Sequence, residues 1–156
     1  LTAIPRDETL STGEPLMARD SRRSVMDRIV LRQAQEVLAR TVNAGGCTFD
    51  ARTLLVQTWS GGYAVGLGGA NLPAEAVTAE ALVWLAKAVA SEYETTFVGT
   101  WLHDGKVSID AVKYFGAHAR EDAIQAGIDA GQQAIFDFAA GEDITLPAWG
   151  TEAHDR

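Results

Sequence analysis

The chain is short of several things that would narrow its chemistry. It has one cysteine, Cys47, so no internal disulfide can form and no Cys-rich metal site can be built. A small, buried thiol in a reducing compartment is the simplest reading of it. No apolar run approaches the ~20 residues that cross a bilayer, and the start lacks the charged and greasy segments of a secretory signal. The three histidines, His103, His118 and His154, share no ligand spacing, and HExxH is absent. No metal or cofactor is expected, and a cytoplasmic location follows from the same features.

Nucleotide motifs are missing as well. The run Gly66-Leu67-Gly68-Gly69-Ala70-Asn71 begins like a dinucleotide loop but has no third glycine and no βαβ setting. It reads as a flexible connector. Gly105-Lys106 is the single Gly-Lys pair and falls in a hairpin turn, which excludes a P-loop. Ser60, in Trp59-Ser60-Gly61-Gly62, does not sit in the G-x-S-x-G elbow that exposes a hydrolase nucleophile.

What is present fits one globular unit: 156 residues, 47% apolar and 22% charged. An N-terminal tail over residues 1–20, one domain over 21–147 and a polar tail over 148–156 are expected. Leu1 is not a natural start, and Met17 is an alternative one. The net charge of −8 is unevenly placed. Residues 1–72 hold eight arginines against seven acids, whereas residues 73–156 hold five basic residues against fourteen acids. That balance speaks against nucleic acid as a partner. Arginines of the first helix alternate with Asp20, Asp27 and Glu36, the pattern of a solvated face.

Periodicity predicts a first helix from Ser24, with Val25, Ile29, Val30, Ala34, Val37, Leu38 and Val42 inward and Ser24 with Asp27 as a capping box. Asn43 to Gly46 stops it. Two strands follow, near 47–58 and 62–67, turning at Ser60-Gly61-Gly62. Asn71-Leu72-Pro73 breaks the pattern, and a second helix from about Thr78 places Leu82, Leu85, Ala86, Val89 and Tyr93 on one stripe.

The clearest element is TFVGTWLHDGKVSIDAVKYF, residues 96–115, a hairpin about Asp104-Gly105. Its pairing sets Leu102 against Val107, Thr100 against Ile109 and Val98 against Ala111 on an apolar face. Phe97, Gly99, Trp101, Ser108, Asp110 and Val112 share the other. A third helix over 118–131, a strand at QQAIFDF and a last strand at EDITLP complete the order α-β-β-α-β-β-α-β-(β). The fold class is α+β, a largely antiparallel sheet of hairpins packed against helices.

Two site readings follow. If the mixed hairpin face is open, Phe97, Trp101 and Asp110 form a docking surface; coverage by the first helix is the duller expectation. Alternatively Asp110 and Asp137 converge as acid, base or Mg²⁺ ligands of a small hydrolase acting on a nucleotide or metabolite. The ordinary reading of Asp137 is a turn cap. Eight aromatics, Trp59, Tyr63, Trp84, Phe97, Trp101, Tyr114, Phe136 and Phe138, are spread over every element and are expected mostly in the core.

AGGCTFD followed by SGGYAVGL, then FVGTWLHDGKVSIDAVKYF, then REDAIQAG with GQQAIFDFAAGEDI, resembles a group of small uncharacterised proteins of actinobacteria and their phages or mobile elements. The resemblance covers about residues 43–145. Its motifs are turn glycines and core positions, so it implies a setting and no catalytic residue. With no catalytic motif, the favoured function is a non-enzymatic protein-binding module with an acidic C-terminal portion. Its partner would be a host or phage protein, and a strand edge or the first helix is free to pair with a second copy.

Overall fold

The computed structural model describes residues 16–147. The chain folds as α1 (Leu16–Ala44), β1 (Gly46–Asp50), β2 (Val56–Gln57), β3 (Tyr63–Pro73), α2 (Ala79–Tyr93), β4 (Phe97–His103), β5 (Lys106–Phe115), α3 (Arg120–Asp129), β6 (Ala134–Asp137) and β7 (Glu142–Thr145). All seven strands join one antiparallel sheet in the order β2-β1-β4-β5-β3-β6-β7. The architecture is α+β, as the interspersed hairpins and helices imply.

The β4–β5 hairpin has the register that its turn dictates. Asp104 and Gly105 both have positive φ, 51° and 75°, the requirement of a tight turn that matches strand twist. Leu102 pairs Val107, Thr100 pairs Ile109 and Val98 pairs Ala111. Val98, Val107 and Ile109 pack beneath Ala34 and Val37 of α1 and Leu82, Ala86 and Ala90 of α2. Burial of each large aliphatic here stabilises by about 1.5–3 kcal/mol. The same sheet face continues through Tyr63, Val65 and Ile135, which α3 covers with Ala123, Ile124 and Ile128. Among the described residues, α1, α2 and α3 therefore lie on one side of the sheet.

Local signals end the elements where side chains can serve. Thr78 caps α2 by accepting from the Ala81 amide at 3.1 Å. Glu94, at φ 56°, closes it in the left-handed conformation, and the Thr95 amide donates back to Ala90 O. Asp50 accepts from the amides of Arg52 and Thr53, which turns the chain after β1. The predicted strand over 47–58 is thus two strands with a capped turn between them.

Several expectations are corrected. The first helix begins at Leu16, inside the segment read as a tail; residues 1–15 and 148–156 lie outside the described residues. Ser24 does not cap it, and its hydroxyl accepts from Arg28 instead. Val25 and Ile29 are exposed, and so is Val42, because Thr41 and not Val42 turns to the sheet at that end of the helix. Trp84 stands on the outer face of α2, 69% exposed. The glycine run is not a connector: residues 66–73 continue β3 and pair with β5 down to Pro73 opposite Lys106. The register shifts between Gly66 and Gly68, a bulge in which Tyr93 packs on Gly68.

Candidate functional site

Strand alternation sends Phe97, Gly99, Trp101, Ser108, Asp110, Val112 and Tyr114 to the side away from the helices. The first helix does not cover this side, contrary to the expectation, because its buried stripe of Ala34, Val37 and Thr41 meets the opposite face.

The sheet is curled about this uncovered side. β2 and β7 are its two edges, yet Val56, Gln57 and Thr58 line the same cleft as Phe136, Phe138 and Asp143. Trp101 forms part of the wall, and the cleft holds about 470 Å³. Arg40 and the turn after α1 border one end.

One half of the concavity is filled by aromatic rings. Trp59, carried on the loop between β2 and β3, stacks on Tyr114 with centroids 4.2 Å apart. It also meets Phe97 at 5.1 Å and Phe138 at 5.0 Å edge-on. Phe138 in turn contacts Phe136 at 5.0 Å. The Tyr114 hydroxyl donates to Gly61 O at 2.6 Å, which fastens the loop that brings Trp59 in. These rings are half-buried, so they form a wedge with one apolar side still facing the cleft.

Asp110 lies on the same face of the sheet, outside the lining of that cleft. It pairs with Gly99 on β4 and with Gly69 on β3, so neither lateral neighbour has a side chain. The Trp101 indole fills the space above Gly99: two of its ring carbons lie 2.5 and 2.6 Å from the place a Cβ would take there. The carboxylate is half-buried and, among the described residues, has no hydrogen bond or ion pair. Burial pushes its pKa above the usual carboxylate range. Gln132, after α3, brings its side-chain oxygen to the same spot. A methyl group on Gly66 would lie 3.6 Å from Gln132 Oε1 and 3.9 Å from Asp110 Oδ2.

Asp137 does not join Asp110. It pairs with Tyr63 on the helix-covered face, where Oδ1 accepts from the Ala139 and Ala140 amides and Oδ2 lies 4.0 Å from Arg120. That is the turn cap of the ordinary reading. Glu142 and Asp143 are exposed, and among the described residues no three His, Cys, Asp or Glu side chains gather as metal ligands. His103 forms an exposed pair with Asp104 at 3.1 Å, and His118 occupies the short turn before α3. Burial also raises the Cys47 pKa, which keeps its thiol protonated and unreactive. Among the described residues no helix is long and apolar enough to cross a membrane.

Phe97, Trp101 and Asp110 were legible as a group from alternation alone. Trp59, Gly66 and Gln132 were not, since they reach the face through a loop, a bulge and a helix end. The glycines opposite Asp110 were the one available hint. Comparison with protein-family models, with characterised proteins and with solved structures finds no match to this chain.

Proposed function

We propose that the protein is a non-enzymatic binding module, an accessory protein of the phage or mobile-element kind, that docks a basic segment of another protein in the open half of the concave sheet face. The observation that supports this most is the uncovered face itself. Half-buried aromatics beside an unpartnered carboxylate leave a concavity that no helix of the described chain fills. Aromatic anchors in a concave, partly desolvated setting are the usual carriers of binding energy between proteins. Charge selects the partner's sign: residues 73–156 carry nine more acids than bases, and Asp110 and Asp143 both lie on this face.

The test is selection of binders from a displayed library of random 12-residue peptides, followed by affinity measurement against the wild type and Trp101→Ala. Enrichment of Arg- or Lys-bearing peptides that lose at least tenfold in affinity on Trp101→Ala supports the docking face. Peptides that bind both proteins equally, or acidic peptides only, overturn it.

A further inference from the structure

Around Asp110 the sheet is bare of side chains: Gly66 and Gly69 supply none on this side of β3, and Gly99 supplies none on β4. Two oxygen acceptors, Asp110 Oδ2 and Gln132 Oε1, converge on the point a Gly66 methyl would occupy. Neither makes a hydrogen bond within the described chain. A half-buried carboxylate left without a donor costs stability, and a donor from outside would relieve that cost. The indole of Trp101, spread over Gly99, presents an aromatic surface next to the same carboxylate.

We infer that this bare patch beside Asp110 and Gln132 is a binding site for a guanidinium group, the side chain of an arginine on the docked polypeptide. A planar guanidinium can stack on an indole face while its fork of N–H groups reaches a carboxylate and an amide oxygen together. An ammonium is a more compact, more strongly hydrated point charge that stacks less well, so lysine is the weaker occupant. A carboxylate or phosphate is excluded by the charge of Asp110. Burial alone shifts the pKa of Asp110, with no basic side chain of the described residues offsetting it, so its oxygens are left to an outside donor.

This inference rests on the docking reading above, and the experiment separates the two. A selected Arg-bearing peptide and its citrulline counterpart, which keeps the shape but not the charge, are titrated against wild type, Asp110→Asn, Gly66→Ala and Trp101→Ala. A Cβ on Gly66 makes only ordinary contacts with Gln132 and Asp110, so Gly66→Ala puts a methyl group beside both acceptors without forcing the strand apart. Methylguanidinium chloride is titrated alone in parallel, read by the Gln132 side-chain amide signals in NMR.

The wild type should prefer arginine to citrulline by about tenfold or more. Asp110→Asn and Gly66→Ala should each remove that preference, and each should abolish the methylguanidinium response. If the peptide is lost on Trp101→Ala but citrulline, Asp110→Asn and Gly66→Ala change nothing, docking stands and the guanidinium site is overturned. If no peptide depends on the face yet methylguanidinium still shifts Gln132 in an Asp110-dependent way, the site stands and the docking reading falls. No methylguanidinium response and no arginine preference overturn the site outright.

Discussion

Asp110 stands directly across the ladder from Gly99, and the ring that fills the space over that glycine belongs to Trp101. One missing side chain therefore does two things: it lets the indole lie down on the sheet and it leaves the carboxylate beside an aromatic surface instead of a neighbour's side chain. Gly99→Ala should undo both, because its methyl would lie 2.5 Å from the Trp101 ring and 3.1 Å from Val112 Cγ2. The expected cost is about 1–3 kcal/mol, with a red shift of tryptophan emission as the indole lifts away. Unaltered emission and melting temperature would show that the ring does not use that space.

Asp110 destabilises the fold whenever it is ionised. Its folded-state pKa is raised by burial, so the native state holds the proton more tightly than the unfolded chain does. Its contribution to stability is then most favourable below the ordinary aspartate range and is lost as pH rises from that range through the raised value. Its cross-strand neighbours are glycines and its same-strand neighbours on this face, Ser108 and Val112, are uncharged, so no nearby ion pair reverses the sign. Asp110→Asn should melt higher than the wild type at pH 7, and the gap should close near pH 3. A variant that melts lower at pH 7 would mean that the carboxylate has a partner.

The buried hydroxyls of Thr41 and Thr100 join α1 to β4 at 2.6 Å. Thr41 already donates to Val37 O at 2.7 Å, so Thr100 must be the donor between the two. Thr41→Val strands that buried donor and should cost about 1–3 kcal/mol, while Thr100→Val leaves the Thr41 hydrogen bond intact and should cost less. The double variant should cost less than the two singles added together. Denaturant titration of the four proteins checks this; a larger cost for Thr100→Val than for Thr41→Val would assign the proton the other way.

Trp59 is the wedge of the aromatic half. It touches Phe97, Tyr114 and Phe138, which belong to three different segments, so Trp59→Ala should loosen the sheet's curl as well as lose packing. A loss of about 2 kcal/mol or more is expected from a half-buried ring of this size. Near-UV circular dichroism should fall with little change in the far-UV signal. An unchanged near-UV spectrum would place Trp59 outside the cluster.

The hairpin was readable because an Asp-Gly turn and alternating aliphatics state the same register twice. The second helix was readable because Thr78 and its apolar stripe agree. Residues 66–73 were misread because glycine carries no side-chain period; their strand state comes from the matching length of β5. Alternation could say that Asp110 points away from Val98 and Ile109, but not which face the helices choose, since that depends on how α1 and α2 meet the sheet. It could not place Trp59 over Tyr114 or Gln132 beside Gly66 either. Those contacts arise from the curl that brings strands from opposite edges to one cleft.

The most direct test is an amide and side-chain NMR titration of the intact protein with an arginine-bearing peptide selected on it. Shifts confined to Gly66, Gly99, Trp101, Asp110 and Gln132, with α1 and α2 silent, are the predicted result. Shifts that cluster on the outer surfaces of α1 and α2 and leave those five residues unmoved would contradict the account.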